Sequence, residues 1–357
     1  FAGVNGSGKH NNWSISTDTG VNLLEPGDTP HDNAQFLLFL CAVIQAVDDY
    51  QDLLRVSAAS AGNDHRLGAN EAPPAIISMF LGDELTEILK SLESGAAYHG
   101  PDNHPMETGV TAPPHFPKDT TDRNRTSPFA FTGNKFEFRM LGSAFSIAGP
   151  NIVLNTVVAE SLRRFADQLE ASADFQADLA ALIRKTIREH RRIVFNGNSY
   201  SDEWVAEAEG RGLSNRRSTV EALPAFVEPK SIEVFTRHHV CTETELRSRY
   251  EILLENYAKT LRRDVIPACV GYQNELLSLL QAKKACFKSG GALEEQLCGK
   301  IDGLCGCLMS KLEALEDALL GAPESASPLD EADYTRRRVF GSMAELRLVV
   351  DELETLV

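Results

Sequence analysis

Residues 135–140 read Lys-Phe-Glu-Phe-Arg-Met. At a strand's period of two, Phe136, Phe138 and Met140 form one apolar face, and Lys135, Glu137 and Arg139 form a charged face opposite. When the apolar side of such a sheet packs on helices, three successive charges on the other side must meet solvent or a ligand. The same alternation recurs near the start of the chain. There His10, Asn12 and Ser14 point one way, while Asn11, Trp13 and Ile15 point the other. After Pro150 the period becomes helical. Leu154, Val158, Leu162, Phe165 and Leu169 share one stripe, and Leu179, Ile183 and Ile187 continue it. Strands that carry chemistry on one face, followed by a long helical stretch, place the chain in the α+β class.

Further helices follow from the same spacing. Phe36, Leu37, Leu40, Ile44, Val47 and Leu54 predict one helix over residues 33–57, started by the Asp32-Asn33 pair. Residues 76–92 suggest a second helix, and residues 94–121, rich in Pro and Gly, an irregular connection. From Glu243 onward the pattern is almost wholly helical. Leu246, Tyr250, Leu253, Leu254, Tyr257 and Leu261 line one helix, and Leu346, Val350, Leu353 and Val357 the last. Such helices pack on one another or on a neighbouring subunit. His238-His239 before Thr242-Glu243-Thr244-Glu245 marks a capped helix start.

The chain has 357 residues, of which 43% are hydrophobic and 24% charged, enough to bury a large core. Its formal charge of −16 argues against a nucleic-acid surface, which needs clustered Lys and Arg. It also means that any nucleotide must be met by local cations, from side chains or metal. Seven Cys without a framework of close pairs favour a reducing compartment. No apolar run of about 18 residues suits a spanning helix, so no membrane partner is expected.

Several residue groups could carry chemistry. Asn5-Gly6-Ser7-Gly8 would let backbone N–H groups approach an anion, although a tight turn is an equally good reading. His10 on a polar strand face is either a metal ligand or a structural imidazole. Glu137 between Lys135 and Arg139 is either a carboxylate ligand beside two cations or part of a solvated face. Arg123 and Arg125 offer forks for carboxylate or phosphate oxygens. Arg66 and Glu71 lie on a Gly- and Asn-rich loop with the make-up of a lid. Cys298, Cys305 and Cys307 have no His near them in sequence and read better as buried or free thiols than as a zinc site. Arg191-Arg192 and Arg336-Arg337-Arg338 read as interface or helix-end charges.

The motifs taken together resemble the glutamine synthetase family. NGSGKHNNWS is similar to the family's NGSGxHxHxS element, and RLGANEAPPAI to its RLxxxxEAP loop. NRTSP and KFEFR are similar to its NRSAS and RRIEVR segments, in the same order. The wording of these stretches, with FNGNSYSDEW and the long helical tail, resembles the type III enzymes. The resemblance implies a glutamine synthetase-like catalytic barrel half, of antiparallel strands with flanking helices, followed by a helical C-terminal region. It implies ATP-dependent ligation of ammonia to L-glutamate through γ-glutamyl phosphate, with Mg2+ or Mn2+ as cofactor and a homo-oligomeric double ring. Residue by residue, it implies that His10 and Glu137 bind metal, that Asn5 and Gly6 hold glutamate, and that Asn12 and Ser14 contact ATP. Arg66 and Arg139 would grip glutamate carboxylate or phosphoryl oxygens, and Arg125 the γ-phosphate. Glu71 would close over glutamate and take a proton from ammonium. The family often has His where Asn12 stands, and Arg where Ala130 stands, for which Lys135 would substitute.

The expected organisation is a catalytic part over residues 1–200 and a helical region over 201–357. The family's N-terminal β-domain and first catalytic strands, with their further metal-binding Glu residues, would precede Phe1. The isolated chain is therefore expected to be inactive. Localisation is expected to be cytoplasmic, with an organelle as the alternative for a eukaryotic source. The alternatives are a γ-glutamyl ligase acting on another amine, and a catalytically silent structural or regulatory homologue.

Overall fold

A computed structural model describes residues 8–59, 66–68, 73–96, 98, 126–143, 145–260, 265–286, 291–321 and 334–357. In chain order the elements are β1 (Asn11–Trp13), α1 (Ala34–Asp49), α2 (Gln51–Ala58), β2 (Met79–Phe80), α3 (Asp83–Ser94), β3 (Phe129–Phe131) and β4 (Phe136–Phe138). The helices α4 (Ala148–Glu170), α5 (Phe175–His190), α6 (Asp202–Gly210), α7 (Thr219–Ala222) and α8 (Pro229–Arg237) follow. Then come α9 (Glu243–Thr260), α10 (Ile266–Cys286), α11 (Ala292–Leu320) and α12 (Phe340–Glu354). The class is mixed and helix-rich, with a small sheet.

The sheet order is β1-β4-β3-β2. Its two β4 pairings are antiparallel, with Asn12 opposite Glu137 and Ala130 opposite Glu137. The expectation of antiparallel strands fails at β2, which pairs parallel with β3 through Met79 opposite Phe129. The period-two reading of β4 holds on its apolar side. Phe136, Phe138 and Met140 are fully buried, and Phe129 stacks on Phe136 at 4.9 Å. Phe36 of α1 meets Phe131 at 5.9 Å, so α1 covers the apolar face of the sheet. Each such ring taken out of water contributes about 1.5–3 kcal/mol.

Asn33 starts α1 by accepting from the Phe36 amide at 3.0 Å. The single helix expected over 33–57 is interrupted at Tyr50, where φ is −121° and ψ 28°. The interruption sits in a polar node. Asp48 is buried between His190 Nδ1 at 2.8 Å and Arg192 Nε at 2.9 Å, and Gln51 Oε1 accepts from the Ser214 amide at 2.6 Å. The helix expected over 76–92 begins only at Asp83. Ile76 to Phe80 is extended, and Gly82, at φ 80°, supplies the turn that lets α3 begin with Asp83 and Glu84 near its N-terminal dipole.

Most of the remaining stripe positions are buried, although Val357 is exposed and Tyr257 and Leu261 lie outside the described side chains. Leu154, Val158 and Phe165 of α4 are buried, as are Leu179, Ile183 and Ile187 of α5, Leu246, Tyr250 and Leu254 of α9, and Leu346, Val350 and Leu353 of α12. Both α10 and α12 pack on α11. Thr242 and Glu245 form the reciprocal cap of α9: the Thr242 amide donates to Glu245 Oε2 at 2.8 Å, and the Glu245 amide donates to Thr242 Oγ1 at 3.2 Å. Arg191 pairs within the chain with Glu93 at 2.8 Å, as Arg192 does with Asp48. All seven cysteines are free, and burial pushes the Cys41 thiol up to about 12. Among the described residues no helix is long and apolar enough to cross a membrane.

Candidate functional site

Residues directly opposite in an antiparallel pair project to the same face. The register therefore puts Asn12, Glu137 and Ala130 in one row on the side away from the core. The burial of β1 agrees, with Asn11 and Trp13 buried and Asn12 exposed. Asn11 Nδ2 donates to Asn151 Oδ1 at 2.7 Å and Trp13 Nε1 to Asn155 Oδ1 at 2.8 Å, which fixes β1 on α4.

Beyond these pairs the register changes. Asn11 lies opposite Phe138, but the next bridge joins Gly8 to Gly142. Two residues on one side, Lys9 and His10, thus span three on the other, Arg139, Met140 and Leu141. One extra residue is a β-bulge, a device that re-aims side chains beside functional sites. The Lys9 amide donates to the Leu141 carbonyl at 2.9 Å, and Lys9 Nζ reaches the Phe145 carbonyl at 2.6 Å.

The bulge gathers the candidate residues. His10 Nδ1 lies 3.7 Å from Glu137 Oε2. Arg139 Nε and Nη2 both donate to that same oxygen, at 3.1 Å and 3.0 Å. The three charges of the strand therefore do not all face solvent. Arg139 is only 6% exposed, held by its carboxylate neighbour, while Lys135 is half-buried and makes no ion pair among the described residues.

Arg66 approaches the bulge from below. Its Nη1 donates to the Met140 carbonyl at 2.6 Å and its Nη2 to the Arg139 carbonyl at 3.4 Å. Here it braces backbone, and at 5% exposure it shows little surface to a ligand. Burial pulls its guanidinium below the ordinary value, with nearby Tyr200 acting the other way. The bracing needs glycine at position 8, since a Cβ there would stand 2.3 Å from Arg66 Nη2. Ser14 Oγ lies within hydrogen-bond reach of Asn22 Oδ1 at 2.8 Å and of the Asn134 carbonyl at 3.0 Å, tying the far end of β1 to the β3–β4 turn. Asn5, Gly6, Glu71, Arg123 and Arg125 lie outside the described residues.

The donor set at the bulge fits a divalent ion in part. Two ligands that each stand about 2.1 Å from one ion are at most about 4 Å apart. The 3.7 Å between His10 and Glu137 meets that limit. Among the described residues no group of three or more His, Cys, Asp or Glu side chains gathers to hold a metal, at the three cysteines of α11 or elsewhere. His10 and Glu137 would thus be two donors of a larger set.

Comparison with known proteins bears on the class of this site. A family model described as the glutamine synthetase C-terminal domain matches residues 178–284. Over those residues the chain is similar to the glutamine synthetases, the family that its motifs resemble. In particular, it is 43% identical to a type-3 glutamine synthetase of Dictyostelium discoideum, over all of this chain and 51% of that protein. It is 44% identical to a glutamine synthetase of Butyrivibrio fibrisolvens, over all of this chain and 53% of the relative. With a glutamine synthetase of Bacteroides fragilis it shares 42% identity over 80% of this chain and 42% of the relative. The chain spans about half the length of the curated relatives it matches.

Sequence reasoning found the two facing strand faces but missed the residues that brace them. Lys9, Asn151 and Asn155 carry no motif signal. Asn196, Gly197 and Ser199 lie in FNGNSYSDEW, whose density of Asn, Gly and Ser marks it as a built turn without saying what it holds.

Proposed function

We propose that the chain is part of an enzyme that joins ammonia to L-glutamate at the expense of ATP, giving L-glutamine through γ-glutamyl phosphate. One observation carries the reading: His10, Glu137 and Arg139 converge at a bulge joining the two strands whose motifs resemble that family. The names of the relatives support it.

Phosphoryl transfer asks for positioning and charge neutralisation more than covalent help. A divalent ion, Mg2+ or Mn2+, would neutralise phosphate oxygens, and His10 and Glu137 would hold it. Arg139, oriented by Glu137, would be the cation that meets glutamate or phosphoryl oxygens. Asn12, in one row with Glu137, and Ser14 would face ATP. Lys135 supplies a cation two residues from Glu137 on the same strand face, and would stand in for the Arg that the resemblance implies at Ala130. Asn5 and Gly6 would bind glutamate and Arg125 the γ-phosphate. Arg66 would either reach glutamate on closure or keep the bulge in shape. Glu71 would shield the acyl phosphate from water and take the proton of ammonium. A homo-oligomeric double ring in the cytoplasm completes the proposal.

His10 and Glu137 are two donors among the described residues, fewer than a catalytic metal needs, and the 357 residues alone should form no glutamine from glutamate, ammonium, ATP and Mg2+. The full-length protein should form it, and Glu137→Gln should lower kcat at least about 100-fold while the protein stays folded. A full-length protein that makes no glutamine, or a Glu137→Gln variant with unchanged turnover, would overturn the proposal.

A further inference from the structure

The segment Phe195 to Trp204 takes no part in the chemistry above, yet it is bolted to the sheet beside the site. The Phe195 amide donates to the Met79 carbonyl at 2.8 Å, and Val194 bridges Met79 in parallel, which extends the sheet past β2. Asn196 is a rivet. Its Oδ1 accepts from the Leu81 and Gly82 amides at 3.2 Å and 3.3 Å, and its Nδ2 donates to Thr86 Oγ1 at 2.8 Å. Phe195 stacks on buried Trp204 with centroids 3.7 Å apart, and Arg211 lies over both rings.

What this rigid turn holds is the start of β3. The Ser199 amide donates to Thr126 Oγ1 at 2.8 Å, and that hydroxyl donates to the Gly197 carbonyl at 3.4 Å. Ser127 Oγ, which is buried, faces the Ser78 carbonyl at 3.4 Å and the Phe129 carbonyl at 3.2 Å. The next residue, Pro128, offers its carbonyl to the Arg139 amide at 2.8 Å. Arg139 in turn grips the Glu137 carboxylate that faces His10.

We infer that Thr126 is a positioning residue for the metal-binding wall, transmitting the rigid Asn196–Ser199 turn through Pro128 to the Arg139–Glu137 pair. This rests on the metal role proposed for His10 and Glu137. Groups that orient a ligand without touching the ion commonly change metal affinity by 10- to 100-fold when removed. Thr126→Val keeps shape and volume but deletes both hydrogen bonds of the clamp. Its consequence falls on the carboxylate.

The test is Mn2+ binding to the full-length protein, read by electron paramagnetic resonance, with melting temperature measured on the same samples. Thr126→Val should weaken Mn2+ binding roughly tenfold, Thr126→Ser should restore it, and Asn196→Ala, which frees the turn at its other end, should weaken it too. If Thr126→Val and Asn196→Ala lower the melting temperature yet bind Mn2+ like the wild type, the clamp is merely structural and the inference is overturned. If His10→Ala and Glu137→Gln also leave Mn2+ binding unchanged, the metal role fails, and this inference with it.

Discussion

Replacing Glu160 by Gln should destabilise the protein through one buried carboxylate. Glu160 is 1% exposed on α4 and serves four partners. Its Oε1 accepts from Arg163 Nη2 at 2.9 Å, Arg164 Nε at 3.0 Å and Arg237 Nη1 at 2.8 Å. Its Oε2 accepts from Arg163 Nε at 3.0 Å and stands 2.9 Å from His238 Nε2. The hub joins α4 to α8. Removing one partner of a fully buried ion pair costs about 3–5 kcal/mol. Here the three arginines are 37–40% exposed and can rehydrate, which lowers the expected cost to about 2–3 kcal/mol. With an unfolding entropy of about 2.1 cal/mol/K per residue, a cooperative unit of 357 residues should lose about 3–4 °C in melting temperature.

The pH dependence follows from the same contacts. Burial opposes ionisation of Glu160, but hydrogen bonds from Arg163, His238 and Arg164 outweigh it and hold the carboxyl well below the usual range. A group with a depressed folded value adds stability above its unfolded value, about 4.3, and loses it as pH falls toward the folded value. Melting curves of wild type and Glu160→Gln should therefore be well apart above about pH 5 and converge below about pH 4.3. A difference under 1 °C at pH 7, or a margin that fails to shrink below about pH 4.3, would refute the reasoning.

Two further outcomes are expected. Gly8→Ala should drive its new Cβ into Arg66 Nη2 and cost about 1–3 kcal/mol by calorimetry. Much of that cost should vanish in an Arg66→Ala background, because the two residues share one contact. Asn33→Ala should remove the α1 cap, along with the side-chain bonds to the Glu25 and Pro26 carbonyls, for about 1–2 kcal/mol in urea titration.

Much of this architecture was legible because period and chemistry agreed. In KFEFRM the two faces differ so sharply that only one side could be core, and NNW repeats that contrast with its buried Asn11 and Trp13 tied to α4. The sequence was silent where a few backbone bonds decide. The run Ile76-Ile77-Ser78-Met79-Phe80 suits a buried strand or helix equally, and a parallel partner with no local turn leaves no trace in its pattern. The break at Tyr50 lies beside Asp48, whose partners His190 and Arg192 stand far along the chain. Glu160, Arg163 and Arg164 show helical spacing, but Arg237 and His238 join them only through tertiary packing. The same holds for Arg66. Its loop suggested a substrate contact; its bonds to the carbonyls of the bulge were not legible, because a bulge is invisible until two strands are set in register.

The central claim is that His10 and Glu137 share one metal ion. Electron spin echo envelope modulation of the full-length protein with Mn2+ and ATP tests it most directly, because a directly bound imidazole nitrogen modulates the manganese signal. Nitrogen modulation should be present in the wild type and absent from His10→Ala, with Glu137→Gln binding Mn2+ far more weakly. Modulation that survives unchanged in His10→Ala would place the metal elsewhere and contradict the account.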